Sequence, residues 1–195
     1  MRTEIYFIRH CEPDYANRDD AARALTEKGM ADRSIVTEYL ADKDISLVAS
    51  SPFRRAVDTV GQFAAARGME ILLVDDLRER KLTNAWVEDY EAFSRRQWED
   101  FSYRLEDGEC LASVQARCIA AIEALLRQYP GARIAVGFHG TALSTVLHYY
   151  DPSFGFEASW EMVDRMPWCA HLSFEGTDCA ALETVDLSAR STYDR

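Results

Sequence analysis

Short apolar runs recur along the chain, and their β-branched and aromatic composition predicts buried strands. The first of these runs is Ile5-Tyr6-Phe7-Ile8. Further runs predict strands at residues 45–49, 71–74, 133–138, 170–174 and 181–185.

The stretches between these runs carry helical signals. Leu25-Thr26-Glu27-Lys28-Gly29 opens one helix, and Ser50-Ser51-Pro52 predicts another, with a serine cap and a proline in the first turn. Two further helices are predicted at residues 110–128 and 141–149. Because strands and helices alternate, the pattern indicates a layered α/β fold.

Composition limits the function classes. A chain of 195 residues with 48% hydrophobic and 28% charged residues is expected to form one globular domain over residues 1–195. The formal net charge is −11, and an acidic surface repels nucleic acids and anionic membranes. We therefore expect neither as a partner, and an anionic substrate would need a local basic pocket.

The chain has five cysteines, which form no CxxC pair and no zinc-binding spacing. This usage favours reduced cysteines and a cytoplasmic location. The sequence shows no signal peptide and no apolar stretch long enough to span a bilayer.

Two predicted strands end in basic side chains. Arg9-His10 follows the first strand, and His139-Gly140 follows the strand at residues 133–138. Ligands of open α/β sheets bind at the carboxyl edge, where such residues arrive. We expect the two histidines to share one site that handles an anion.

These residues belong to a longer set of motifs. Phe7-Ile8-Arg9-His10-Cys11-Glu12-Pro13 resembles the opening motif of the histidine phosphatase superfamily, also called the phosphoglycerate mutase-like fold. Five further segments resemble that family's motifs in the same order: Leu25-Thr26-Glu27-Lys28-Gly29, the stretch from Ser50 to Thr59, Leu77-Arg78-Glu79-Arg80, Gly108-Glu109-Cys110 and Val136-Gly137-Phe138-His139-Gly140. We expect the phosphatase branch and a three-layer α/β/α sandwich with a mostly parallel central sheet.

The resemblance implies a role for each site residue. His10 would attack phosphorus and become a phosphohistidine. Arg9 and Arg55 would hold the phosphoryl oxygens, with His139 as a further, protonated donor. Glu79 would act as general acid on the leaving oxygen and then as the base that activates water. No metal and no cofactor is expected.

Several assignments have rivals. Arg54 competes with Arg55 in the same helical turn, although the motif register favours Arg55 and a solvated Arg54. Glu88 and Asp89 lie near Glu79 in the chain, and Lys81-Leu82-Thr83-Asn84 departs from the family's glycine-bearing pattern. Arg80 either adds charge to the pocket or faces solvent. His148 is assigned to packing or a hydrogen bond, and His171 to a structural role or a place at the pocket rim.

Cys11 stands where the family usually has glycine. One interpretation is a neutral replacement. The other is a redox-sensitive thiol, since basic neighbours would lower its pKa and favour the thiolate.

The segment from residue 75 to residue 107 is predicted to be an irregular or helical cap insertion over one face. Its aromatic residues are expected to cover the core, and in an alternative interpretation some line a pocket for an apolar or aromatic leaving group. They are Trp86, Tyr90, Phe93, Trp98, Phe101 and Tyr103.

The first hypothesis is a metal-independent phosphomonoesterase acting on a small phosphorylated metabolite. The alternatives are a phosphoglycerate mutase and a catalytically silent phosphate-binding module. The substrate is not specified by the sequence, and a homodimer is left open.

Overall fold

A six-stranded sheet forms the centre of the computed structural model, which describes residues 1–83 and 87–191. Its strand order is β3-β2-β4-β1-β5-β6. Neighbouring pairs among β1 to β4 are parallel, β5 is antiparallel to β1, and β6 is antiparallel to β5. The strands are β1 (Arg2–Arg9), β2 (Leu47–Ser50), β3 (Ile71–Leu73), β4 (Arg133–Phe138), β5 (Trp168–Glu175) and β6 (Asp178–Asp186).

Helices cover both faces of this sheet. They are α1 (Glu27–Leu40), α2 (Arg54–Ala66), α3 (Tyr90–Glu99), α4 (Leu111–Gln128), α5 (Gly140–Tyr150) and α6 (Phe156–Glu161), with 3₁₀ turns at Asp75–Leu77 and Ser188–Arg190. The predicted strands and four predicted helices are confirmed. Helix α6 was not predicted, because a six-residue helix is too short to show a periodic pattern.

Alternation along β1 divides the core into two layers. Ile5 and Phe7 pack on the face covered by α4 and α5. Tyr6 and Ile8 pack on the opposite face, against α1 and α2. All four side chains are at most 7% exposed. Because successive side chains of a strand point to opposite faces, one short run supports both layers of the predicted α/β/α sandwich, which is confirmed.

The predicted serine cap of α2 is wrong. The helix begins at Arg54, and its N-cap residue is Phe53, with no side-chain cap. Ser51 Oγ instead accepts a hydrogen bond from the Phe53 amide at 3.2 Å and lies 2.7 Å from His139 Nε2. Ser51 therefore lies ahead of the first helical turn, and its hydroxyl contacts the histidine that precedes α5.

The segment from residue 75 to residue 107 contains one 3₁₀ turn and α3, and Trp86 lies outside the described residues. Trp98 and Phe101 contact the ring of His148, whose Nδ1 lies 3.0 Å from the Phe154 carbonyl. The structural assignment of His148 is therefore confirmed.

The second histidine outside the site, His171, is also structural. Its ring stacks on Tyr6 with centroids 4.3 Å apart, and its Nε2 lies 2.6 Å from Glu4 Oε2. Across residues 1–83 and 87–191, no helix combines the length and the apolar character needed to cross a bilayer.

Candidate active site

The two strand-end histidines meet at one sheet edge. Strands β1 and β4 are parallel neighbours, with Arg9 opposite Phe138 in the register, so His10 and His139 leave the sheet side by side. The His10 amide donates to the Phe138 carbonyl at 3.1 Å. The imidazole rings meet edge to face, with centroids 5.4 Å apart. The structure therefore places the two histidines next to each other at one sheet edge.

The environment of His10 suits a nucleophile. Its Nδ1 lies 2.7 Å from the Cys11 carbonyl oxygen, which can only accept, so Nδ1 carries the hydrogen and Nε2 carries the lone pair. Burial lowers the pKa of His10 well below its usual value, and the charges of Arg55 and Arg9 lower it further. The ring is therefore uncharged at neutral pH.

His139 is fully buried beside it. Its Nε2 lies 2.7 Å from Ser51 Oγ, while its Nδ1 has no hydrogen-bond partner among the described residues. Burial, followed by the charge of Arg55, lowers the pKa of His139 well below its usual value. His139 is therefore uncharged at neutral pH, and its expected role as a protonated donor requires the negative charge of a phosphoryl group to raise that pKa.

Arg55 faces the histidines and Arg54 does not. The side chain of Arg55 is 3% exposed, whereas that of Arg54 is 62% exposed and pairs with Asp58. Arg55 donates to the Asp20 carbonyl, and its Nη1 lies 3.2 Å from Asp20 Oδ1. Of these two arginines, Arg55 is the buried one, as the motif register predicts, and Asp20 is a contact that the sequence did not reveal.

Arg9 is buried at the end of β1 and bonds to a loop after α6. Its guanidinium donates to the carbonyls of Met162 and Val163, the latter at 2.7 Å. A Cβ atom added to Gly140 would lie 3.1 Å from Arg9 Nε. The glycine after His139 therefore leaves room for the Arg9 guanidinium to pass the start of α5.

Glu79 lies at the N-terminus of α5, directly after His139. Its carboxylate accepts hydrogen bonds from the amides of Thr141 at 3.0 Å, Ala142 at 2.9 Å and Arg80 at 2.7 Å. A helix N-terminus is a favourable place for a carboxylate. Burial lowers the pKa of Arg9 and of Arg55, and the negative charge of Glu79 acts in the opposite direction on both.

The rivals of Glu79 do not share this position. Asp89 caps α3 by accepting a hydrogen bond from the Ala92 amide at 2.9 Å, and Glu88 is exposed. Arg80 does not face solvent, since it is 4% exposed and donates to Gln97 Oε1 on α3.

The hypothesis of a reactive Cys11 thiolate is wrong. Cys11 is 0% exposed, and burial raises the pKa of its thiol to about 12. Its amide donates to Thr59 Oγ1 at 2.9 Å, which secures the backbone beside His10. The charges of Arg33 and Lys28 lower that pKa but do not outweigh burial, so Cys11 fits the interpretation of a neutral replacement for glycine.

With this geometry in place, the family can be assigned. The family model described as histidine phosphatase superfamily (branch 1) matches residues 5–180. The chain belongs to this superfamily. Phosphoglycerate mutase-like protein 4 of Arabidopsis thaliana is 30% identical over 165 residues, covering 77% of this chain and 72% of that protein.

Solved structures of the superfamily share the fold. A mycobacterial glucosyl-3-phosphoglycerate phosphatase superposes with a TM-score of 0.72 at 20% identity, covering 94% of this chain and 97% of that one. A phosphoserine phosphatase from Entamoeba histolytica gives a TM-score of 0.75 at 16% identity, covering 92% and 96%. At these identities the likeness shows the histidine phosphatase fold alone.

Close backbone contacts explain why two of the motif positions are occupied by glycine. A Cβ atom on Gly29 would lie 2.2 Å from the Glu12 carbonyl oxygen, and one on Gly108 would lie 2.0 Å from the Leu82 carbonyl oxygen. Both contacts are with backbone, which cannot swing aside. Gly29 thus fixes the loop after His10 to the start of α1, and Gly108 fixes the loop after Glu79 to the start of α4.

Proposed function

We propose that this protein is a metal-independent phosphomonoesterase that hydrolyses small phosphorylated metabolites through a phosphohistidine on His10. The observation that carries the proposal is an uncharged imidazole with a defined lone pair, beside a second imidazole and two buried arginines. Arginine forks hold phosphoryl oxygens in two-point contacts, so positive charge is supplied without a metal.

The reaction has two displacements at phosphorus. The first displacement starts with Glu79 protonated: His10 Nε2 forms a bond to phosphorus, the ester P–O bond breaks, and the leaving oxygen takes the proton from Glu79, which becomes a carboxylate. In the second, a water oxygen attacks phosphorus, Glu79 takes the water proton, and the P–N bond breaks. Inorganic phosphate leaves, and both His10 and Glu79 return to their starting protonation states.

Arg9, Arg55 and His139 stabilise the charge on the equatorial oxygens. Fixed donors aimed at those oxygens supply most of the catalysis in phosphoryl transfer. The two arginines donate to backbone carbonyls, Arg9 to those of Met162 and Val163 and Arg55 to that of Asp20. The incoming phosphoryl oxygens replace these neutral acceptors with charged ones, which form stronger hydrogen bonds.

The lowered pKa of His10 also favours activity in mildly acidic solution. Because burial and two guanidinium groups hold the pKa of His10 well below its usual value, the nucleophile stays unprotonated in mildly acidic solution. We therefore propose the histidine acid phosphatase type.

The test is release of inorganic phosphate from p-nitrophenyl phosphate and from a panel of small phosphorylated metabolites, in the presence of a chelator. Wild type is expected to turn over, and His10→Ala is expected to lose turnover while keeping its circular dichroism spectrum. Turnover that requires a bisphosphoglycerate primer would indicate a mutase instead. A folded wild type that binds phosphate but releases none from any substrate would indicate a silent binding module.

A further inference from the structure

Arg117 holds the backbone that carries Glu79. It lies in the second turn of α4, and its side chain is 10% exposed. Its Nη1 donates to the carbonyls of Asp76 at 2.7 Å and Arg78 at 2.8 Å, and its Nη2 donates to the Glu79 carbonyl at 3.2 Å. One guanidinium therefore joins three carbonyls of the loop to a rigid helix.

Glu109, at the start of α4, fixes the guanidinium in turn. Its Oε1 accepts from Arg117 Nε at 2.9 Å and its Oε2 from Arg117 Nη2 at 3.1 Å, while Oε2 also accepts from the Lys81 amide at 2.9 Å. Burial alone would raise the pKa of Glu109, but the hydrogen bonds and charge of Arg117 outweigh it and lower that pKa. These contacts therefore favour the charged form of Glu109.

Glu79 is thus held at both ends. Arg117 fixes its carbonyl, and the amides of Thr141 and Ala142 fix its carboxylate at the start of α5, beside His139. If the carbonyl end moves, the carboxylate moves relative to the phosphate site, which is built on β1, α2 and β4. A displacement of about 1 Å in a catalytic group can cost on the order of 10²-fold in rate.

We propose that Arg117 is a positioning residue, which sets where Glu79 delivers its proton to the leaving oxygen. This inference rests on the proposed function, in which Glu79 is the general acid. Arg117 itself touches neither the phosphoryl group nor the leaving group in this assignment, and it acts through the backbone of residues 76–79.

Leaving-group dependence separates positioning from general support of the fold. An alkyl phosphate needs protonation of its leaving oxygen, whereas p-nitrophenolate leaves readily without it. A misplaced Glu79 therefore slows the alkyl substrate selectively, while a loss of folded enzyme slows both substrates equally. The quantity to compare is kcat/KM, because it reports steps up to departure of the first leaving group and excludes hydrolysis of the phosphoenzyme.

The experiment compares wild type, Glu79→Gln, Arg117→Lys and the control Arg127→Lys on both substrates. Lysine is a point charge that cannot bridge three carbonyls and a carboxylate. Arg127 lies on the same helix, is 62% exposed and pairs with Glu123, so its replacement is expected to change nothing. For Arg117→Lys we expect kcat/KM to fall on the order of 10- to 100-fold with the alkyl phosphate and little with the aryl phosphate. Competitive inhibition by inorganic phosphate is expected to stay as in wild type.

Equal losses on both substrates, or no loss, would overturn the role of Arg117. If Arg117→Lys does not fold, Glu109→Gln decides, because without the carboxylate the guanidinium is no longer held against the three loop carbonyls: alkyl-selective loss supports the inference and its absence refutes it. Glu79→Gln distinguishes the two proposals. If kcat/KM for the alkyl phosphate falls selectively in Glu79→Gln but not in Arg117→Lys, only the role of Arg117 is refuted. If it does not fall selectively in Glu79→Gln either, the role of Glu79 as general acid is refuted as well.

Discussion

His10 and His139 place their imidazoles edge to face, with ring centroids 5.4 Å apart, at the ends of two neighbouring parallel strands. Burial is the largest cause that lowers the pKa of each ring, and the charge of Arg55 is the second. The fold therefore keeps two uncharged imidazoles beside two guanidinium groups, which leaves a cationic site with a free nucleophile.

These lowered pKa values make the stability of the protein depend on pH. Below about pH 6.5 the unfolded chain protonates His10 and His139 while the folded protein does not, so the unfolded state binds more protons. The free energy of unfolding is expected to be level just above that pH and to fall on acidification by about 1.4 kcal/mol per pH unit for each histidine. Urea unfolding at a series of pH values from 7.5 down to 5 measures this dependence of the free energy of unfolding on pH. His10→Asn and His139→Asn should each reduce the slope, and an unchanged slope in both would contradict the assignment.

If Arg55 binds phosphate, substitutions of Arg55 and of its neighbour Arg54 should differ in their effect on phosphate affinity. Arg55→Lys keeps the charge but loses the two-point fork, so the affinity for inorganic phosphate is expected to fall by about 10- to 100-fold, the equivalent of about 1.5–3 kcal/mol for hydrogen bonds to a charged group. Arg54→Lys, one position away on the exposed side of α2, is expected to leave affinity unchanged. Titration calorimetry with phosphate tests both variants. Equal losses would mean that Arg55 has no special place in the site.

The motif glycine Gly29 predicts a stability difference. Gly29→Ala drives a Cβ atom to 2.2 Å from the Glu12 carbonyl, so the free energy of unfolding is expected to fall by about 3 kcal/mol or more. Gly61→Ala is the control, since Gly61 lies inside α2 and an added Cβ meets nothing within 4 Å. Removing a glycine from a helix interior is expected to add about 0.5–1 kcal/mol. Chemical denaturation measures the free energy of unfolding of both variants. A Gly29→Ala variant as stable as wild type would refute the close contact.

The burial and pKa of the cysteine thiols predict the order in which they react with an alkylating reagent. Cys11, Cys118 and Cys169 are buried, and burial raises the pKa of each thiol to about 12. Burial would also raise the pKa of Cys110, but hydrogen bonds from Ser113 and the backbone at the start of α4 outweigh it and lower that pKa. Brief alkylation followed by peptide mapping should label Cys110 first, with the three buried thiols protected until the protein unfolds. Early labelling of Cys11 would restore the redox hypothesis.

The strands and the main helices could be predicted because each carries a local pattern. The site residues on strand ends could also be predicted, since Arg9-His10 and His139 follow apolar runs directly and the motif register distinguishes Arg55 from Arg54. The pairing of β1 with β4 then brings them together.

Contacts between distant segments could not be predicted in the same way. Ser51 shows a capping pattern, yet its hydroxyl lies 2.7 Å from Nε2 of His139, a residue far along the chain at the start of α5. Cys11 has basic neighbours in the sequence, but its thiol points into the core, where desolvation dominates. Nothing local connects Arg117 to the carbonyls of residues 76–79, because that link depends on how α4 packs on the loop.

The most direct measurement is to trap the phosphoenzyme. Wild type mixed with substrate is quenched in alkali within the first turnover, because a phosphoramidate survives alkali and hydrolyses in acid, and peptide mapping then locates the label. The account predicts phosphate on His10, on Nε2 rather than Nδ1 because Nδ1 donates to the Cys11 carbonyl, and no label in His10→Asn. Phosphate on any other side chain, or turnover with no labelled enzyme at any quench time, would contradict it.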